Sequence, residues 1–174
     1  DDEAIATRLA RRFILAKIIN SRAVLHRLLR DHPEAIDTDA ITNTINKMAY
    51  MARQLEKVEN LDEIRGIEGQ AANLYFHEFN QLILSQKEEF CLTSRNRRPP
   101  LDRINALLSF LYTLLAHEVA AALESIGLDP QVGFLHRDRP GRASLALDLM
   151  EELRPHFADR LVVTLINRNQ ILSS

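Results

Sequence analysis

A long, almost uninterrupted apolar segment, LDRINALLSFLYTLLAHEVAAALESIG, occupies residues 101–127. Its apolar side chains recur nearly all round a helix, a pattern typical of a buried helix rather than a half-exposed one. Pro100 precedes the segment, and Gly127 follows it as a residue that readily adopts the left-handed conformation of a C-terminal cap. We therefore expect this segment to be the central core helix of the domain.

The rest of the chain also shows helical periodicity. Apolar residues recur at every third or fourth position over residues 3–31 and 39–58, which predicts two long helices. Further helices are predicted from Leu61 and over residues 143–154. After Pro155 a helix is preferred on length, with a short strand over residues 162–166 as the alternative. No segment requires a strand, and 174 residues with 46% hydrophobic content suffice for one core. The predicted fold class is mainly α, with one multi-helix domain over residues 1–174.

Composition limits the cellular setting. The formal net charge is −2, so any contact with DNA has to come from local basic patches. Cys91 is the single cysteine, which excludes an internal disulfide and fits a cytoplasmic protein with a buried, inert thiol. No apolar run reaches the ~20 residues that cross a bilayer, so we predict no membrane contact. The opening DDEAIATRLA lacks Met and a signal leader, which indicates an excised fragment.

The stretch over residues 127–155, GLDPQVGFLHRDRPGRASLALDLMEELRP, carries the candidate site. His136 lies in a loop before a predicted helix on which Asp148 and Glu151 share one face. Two acids at this spacing repel each other unless a cation lies between them or both point into water. A divalent metal ion would resolve the conflict, and a solvated helix face is the ordinary alternative. Imidazole with carboxylates suits manganese better than magnesium and also suits zinc, so residue types do not choose the metal.

Two other segments carry possible function. In RGIEGQAANLYFHEF, Gly66 and Gly69 flank Glu68, and each glycine inside a helix costs on the order of 1 kcal/mol relative to alanine. This predicts the close approach of a backbone or a ligand, with close helix packing and a solvent-facing Glu68 as the alternative. The polar loop over residues 90–101, FCLTSRNRRPPL, presents basic residues that could meet phosphates or remain a solvated charge run.

Common phosphate and metal motifs are missing from the sequence. There is no GxxxxGK[ST], GxGxxG, paired CxxC or HExxH. Their absence argues against a nucleotide-driven motor, a Rossmann enzyme, a zinc ribbon and a zincin. Metal-assisted phosphodiester chemistry remains open.

Four blocks occur in order along the chain: RFILAKIINSRAVL, IRGIEGQAANLYF, RRPPLDRINALLSFLYTLL and GLDPQVGFLHRDRPGRASLALDLMEELRP. With these blocks the chain resembles the helical C-terminal catalytic domain of Cas1, the CRISPR-associated endonuclease and integrase family that inserts new spacers into CRISPR arrays in antiviral defence. The resemblance implies a catalytic Mg²⁺ or Mn²⁺ site made of Glu68, His136 and Glu151, with Asp148 as the neighbouring family acid. Either Asp148 or Glu151 could contact the metal, and relatives often have Asp where Glu151 stands.

The resemblance also implies partners. The full-length enzyme would act as a homodimer with the Cas2 protein on prespacer and CRISPR-repeat DNA, through an N-terminal β-rich domain that this chain does not show. Without that domain we expect weak or no activity. The arginines expected to neutralise DNA phosphates are Arg95, Arg97, Arg98, Arg137, Arg139 and Arg142. The alternative function is a non-catalytic helical assembly module that binds DNA or protein.

Overall fold

The structure is a computed structural model that describes residues 2–136 and 139–172. Its α-helices are α1 (Asp2–Asp31), α2 (Thr38–Leu55), α3 (Leu61–His77), α4 (Arg103–Ser125), α5 (Ser144–Leu153) and α6 (Arg160–Asn167). A π-helix over Pro155–Asp159 connects α5 to α6, and 3₁₀ turns span Pro33–Ala35 and Phe79–Leu82. No strand occurs in this part of the chain, so the prediction of a mainly α fold is confirmed.

Capping side chains explain where three of the helices begin. Asp37, Asn60 and Asp102 precede α2, α3 and α4, and each accepts a hydrogen bond from the backbone N–H three residues later. Such a bond satisfies one of the free donors at a helix N-terminus and stabilises the helix by about 1 kcal/mol. Gly127, with a φ of +79°, follows the end of α4 as predicted.

The central helix of the domain is α1, and the prediction that α4 fills this place is wrong. α1 packs against α2, α3, α5 and the π-helix, and its Ile14 and Leu25 are fully buried. α4 packs mainly on α5 and the π-helix, while its Phe110 and Leu114 remain 61% and 46% exposed. The apolar side chains of α4 lie on all sides of the helix, but hydropathy does not show which of them contact another element.

α4 is long and apolar enough to cross a membrane. An 18-residue window of α4 has a mean hydropathy of 1.6, and 22% of that window is buried. By length and composition alone this helix could cross a bilayer, which the sequence prediction had excluded for every run. Core helices of soluble proteins can be equally long and apolar, so these two properties alone do not show that α4 spans a membrane.

The expectation that another backbone lies close to Gly66 or Gly69 is wrong, because a Cβ atom added at either glycine would meet nothing within 4 Å. The approach of a ligand to these glycines stays a prediction. Cys91 is exposed, although a buried thiol was expected. The glycine that a close approach does require is Gly133, where an added Cβ would lie 2.5 Å from Cβ and 2.9 Å from the carbonyl carbon of Ser144.

We expect Gly133→Ala to destabilise the protein. The new methyl group would push the loop at Gly133 away from the first residue of α5, at a cost of about 1–3 kcal/mol in the free energy of unfolding. Gly66→Ala is the matched control, because Gly66 is exposed within α3 and alanine there should stabilise by roughly 0.5–1 kcal/mol. Urea unfolding of both variants measures the difference. Equal stabilities would contradict the close contact at Gly133.

Candidate metal centre

Three helices and one loop meet at the candidate site. Glu68 comes from α3, Glu151 from α5 and His136 from the loop that precedes α5. The three side chains line one open cleft of about 290 Å³, which we call the metal cleft. Segments far apart in the sequence therefore contribute side chains to the metal cleft. Lys17, from the central helix α1, reaches the same acids from the interior.

Asp148 is fully buried and holds the His136 loop in place. One of its carboxylate oxygens accepts the backbone N–H groups of Phe134 and Leu135 at 2.6 and 2.8 Å. The other accepts the backbone N–H of His136 at 3.0 Å and lies 2.5 Å from Nδ1 of the same residue. Because the carboxylate accepts, Nδ1 donates and Nε2 remains free to bind a metal. The geometry thus places Asp148 behind His136 and Glu151 in the cleft.

Arg65, which the sequence reading missed, ties the helix of Glu68 to the loop of His136. Its guanidinium donates from Nε and Nη2 to the carbonyl oxygen of Leu135, at 2.9 and 2.6 Å, and from Nη1 to Asp62 at 2.7 Å. The RGIEG motif places Arg65 one helical turn before Glu68. These bonds fix the distance between α3 and the loop, and so between two of the candidate ligands.

Glu151 is buried within a small network of charges. Its Oε1 lies 2.6 Å from Nη1 of Arg154, and its Oε2 lies 2.6 Å from Nζ of Lys17. The same Lys17 ammonium also contacts Oε1 of Glu68. Burial raises the pKa of Glu151, but Arg154 and Lys17 outweigh burial and lower the pKa to about 2. Glu151 is therefore ionised at neutral pH.

The residues of the cleft fit a divalent cation. They offer one imidazole nitrogen and two carboxylates, and the Lys17 ammonium shows that a cation is held between Glu68 and Glu151. Among residues 2–136 and 139–172, no three His, Cys, Asp or Glu side chains already stand close enough together to hold a metal. Lys17 stands between the two acids, so metal binding requires a local movement.

The predicted DNA-binding arginines other than Arg95 fall into three groups. Arg139 and Arg142 line the metal cleft beside His136. Arg97 and Arg98 are exposed on the loop before α4. Arg137 lies outside the described residues.

Arg95 differs from the other loop arginines because its side chain is packed inside the fold. Its Nη1 donates to the backbone oxygen of Asn96 and to the side-chain oxygen of Asn105, both at 2.6 Å. The guanidinium lies 5.8 Å from the ring centroid of Phe76 and 5.2 Å from that of Tyr112. Arg95 thus fastens the loop to α3 and α4 through cation–π contacts and hydrogen bonds.

Sequence reasoning also missed Lys17, Arg154 and Asp159. One signal could have found Lys17, because it lies on the same face of α1 as the buried Ile14 and Ser21, three residues before it and four after it. A lysine on the buried face of a helix needs a partner. Asp159 carries no such signal, since it lies in the π-helix after Pro155.

The stability of the protein should depend on the protonation of Asp159. Asp159 is 1% exposed and accepts a 2.6 Å hydrogen bond from the Tyr112 hydroxyl. Burial raises the pKa of Asp159 to about 6, against the opposing effects of the Tyr112 bond, Arg154 and Lys17. Between about pH 4 and pH 6, Asp159 therefore keeps its proton in the folded protein but has released it in the unfolded chain. Rising pH through this window weakens folding by on the order of 2–3 kcal/mol.

Asp159→Asn should remove this pH dependence, because asparagine cannot ionise and still accepts the Tyr112 hydrogen bond. Urea unfolding at pH 4.5 and pH 7.5 checks the expectation. The variant should gain stability relative to the wild-type protein as the pH rises. A constant difference between the two proteins would show that the pKa of Asp159 is not raised.

Known proteins are similar to this chain in both sequence and fold. The family model described as "CRISPR associated protein Cas1" matches residues 1–174. The chain is 53% identical over 163 residues to a CRISPR-associated endonuclease Cas1 of Chlorobaculum tepidum, covering 94% of this chain and 48% of the relative. It is 57% identical over 162 residues to another of Rhodospirillum rubrum, covering 91% and 47%. The chain therefore spans about half the length of these curated relatives.

Solved structures agree. The fold superposes on a Cas1 protein from Thermotoga maritima with a TM-score of 0.78 and 30% identity, covering 97% of this chain and 50% of that one. It superposes on a casposase bound to integration product with a TM-score of 0.74 and 35% identity, covering 97% and 45%. A chain of a Cas6-RT-Cas1–Cas2 complex gives a TM-score of 0.85 at 30% identity, covering 99% and 18%.

Proposed function

The chain belongs to the CRISPR-associated Cas1 family, and from this we propose that it is the catalytic domain of a metal-dependent DNA endonuclease and integrase. The reaction would insert new spacers into a CRISPR array by phosphodiester transfer. The observation that supports this function best is the convergence of Glu68, His136 and Glu151 on one cleft. A helical assembly module would have no need of this arrangement.

Each residue of the cleft has a distinct task in the proposal. Glu68 and Glu151 would bind the ion through carboxylate oxygens, and His136 would bind it through Nε2. Asp148 keeps the proton on Nδ1 and so orients the ring. A bound Mg²⁺ or Mn²⁺ would polarise a phosphodiester and stabilise the charge that develops on it.

The rim of the cleft suits a nucleic-acid backbone. Arg139 and Arg142 line the cleft together with Arg65, beside the proposed ligands. Guanidinium groups bind phosphate oxygens in bidentate fashion, so Arg139 and Arg142 would position a DNA strand over the ion. Their contribution to DNA affinity should fall as the salt concentration rises.

The proposed partners are prespacer DNA, repeat DNA, a second copy of the protein and Cas2. The casposase described above was solved bound to integration product, and another similar chain belongs to a Cas6-RT-Cas1–Cas2 complex. Both resemble this chain over nearly its whole length. A cytoplasmic location follows for an enzyme that acts on the CRISPR array of the cell.

Nicking and strand transfer on a DNA substrate test the proposal. A full-length enzyme that contains this domain, assayed with Cas2, should convert the substrate in Mg²⁺ or Mn²⁺ and not in EDTA. Salt-sensitive DNA binding without any metal-dependent product would reject the enzymatic function. That outcome would favour the non-catalytic assembly module.

A further inference from the structure

Lys17 occupies the space between the two acids of the metal cleft. Its ammonium contacts Oε1 of Glu68 and lies 2.6 Å from Oε2 of Glu151. The side chain is 12% exposed, and a lysine is rarely buried to this extent without a charged partner. Because the acids come from α3 and α5 while Lys17 comes from α1, one ammonium connects three helices.

Lys17 and a divalent ion compete for the same oxygens. An ion held by Glu68 and Glu151 would lie within a few Å of the ammonium, and two cations at that distance repel strongly in a poorly solvated site. Glu151 is 3% exposed and would still keep its second partner, Arg154, at 2.6 Å. The acids therefore do not need both cations.

A second cavity gives the lysine side chain somewhere to move. This inner cavity, of about 440 Å³, shares Glu68 with the metal cleft and is lined by Lys17, Glu68, Tyr75, Arg154 and Asp159 among others. Asp159 is a buried acid that accepts a hydrogen bond from the hydroxyl of Tyr112 and interacts electrostatically with Arg154 and Lys17. A flexible four-carbon stem allows an ammonium to change partners without moving α1.

We propose that Lys17 is a resident cation of the metal cleft, which holds Glu68 and Glu151 together in the metal-free protein and swings toward Asp159 when a divalent ion binds. The inference rests on the proposed metal centre. Lys17 prevents the two acids from repelling each other while no ion is bound. It also lowers the apparent metal affinity, because only the fraction of molecules with a displaced lysine is competent to bind.

Lys17→Met tests both halves of the proposal, because methionine keeps an unbranched apolar stem and removes the charge. In EDTA the variant should melt about 5–10 °C below the wild-type protein, since two acids lose their shared partner. Its affinity for Mn²⁺ at pH 7.5, measured by calorimetry, should be about tenfold tighter. Saturating Mn²⁺ should restore its melting temperature to at least that of the metal-loaded wild-type protein. Lys17→Gln should behave in the same way.

Asp159→Asn tests where the lysine goes. In the wild-type background it should weaken Mn²⁺ binding about threefold to tenfold, because the displaced ammonium loses its new partner. In the Lys17→Met background it should leave Mn²⁺ affinity unchanged. An equal effect in both backgrounds would overturn the movement toward Asp159.

The outcomes separate this role from the metal centre itself. If neither the wild-type protein nor Lys17→Met binds Mn²⁺, the proposed metal centre fails and the role of Lys17 fails with it. If the wild-type protein binds and neither lysine variant binds more tightly, the competition is overturned while the metal centre stands. Lysine variants that stay unfolded in saturating Mn²⁺ would also overturn it.

Discussion

Glu68→Gln is expected to reduce metal-dependent DNA strand transfer by on the order of 10³-fold or more, a loss of several kcal/mol of transition-state stabilisation. Glutamine has nearly the shape of glutamate but offers a neutral amide oxygen, which binds a divalent cation much more weakly than a carboxylate does. The variant should fold, because Lys17 keeps Glu151 as a partner at 2.6 Å. The measurement is product formed per unit time in Mn²⁺ by the full-length enzyme that contains this domain, with circular dichroism as the check on folding.

Glu63→Gln is the matched control for this experiment. Glu63 lies on the same helix, α3, in its first turn, and its side chain is exposed. The same chemical change at this position should leave strand transfer within about twofold, since surface substitutions away from special features have small effects. A Glu68→Gln protein as active as the control would remove Glu68 from the metal centre.

Asp148→Asn should damage both the fold and the metal centre. The two oxygens of Asp148 accept four hydrogen bonds, from three backbone N–H groups and from Nδ1 of His136. An asparagine has one oxygen and a donating NH₂ group, so two buried donors lose their acceptor, at about 1–3 kcal/mol each. We expect a loss of about 4 kcal/mol in the free energy of unfolding. Metal affinity should fall about 10–100-fold, as is typical when the partner of a ligating histidine is removed.

Asp129→Asn provides the comparison, because Asp129 is an exposed loop acid that accepts one backbone hydrogen bond, from Gln131. Urea unfolding in EDTA and calorimetric Mn²⁺ titration should show a small change for Asp129→Asn and a large one for Asp148→Asn. A stable Asp148→Asn protein with weak metal binding would indicate direct ligation by Asp148. A protein unchanged in both respects would contradict its role as the support of His136.

The helices of this domain could be predicted because their signals are local. Apolar spacing marked the helices, and Gly127 marked the end of α4. The position of α4 could not be predicted in the same way. Its hydropathy is that of a core helix, but only tertiary packing decides that Phe110 stays exposed while Leu108 is fully buried.

The candidate site was predictable in part. The motif resemblance named Glu68, His136 and Glu151, and all three line the cleft. Spacing could not show which of Asp148 and Glu151 binds the metal, because both lie on one face of α5. Only the fold of the preceding loop brings the backbone donors to Asp148. The place of Lys17 on the buried face of α1 indicated that it needs a partner, but not which one, since its two partners lie 51 and 134 positions further along the chain.

The most direct test of the proposed metal centre is the anomalous scattering of manganese in a crystal of the protein soaked in Mn²⁺. We predict one strong peak in the metal cleft, about 2.0–2.3 Å from Nε2 of His136 and from carboxylate oxygens of Glu68 and Glu151. Asp148 should remain on Nδ1 of His136, outside bonding distance of the peak. The absence of a peak in the cleft, with manganese bound elsewhere or not at all, would contradict the proposed metal centre.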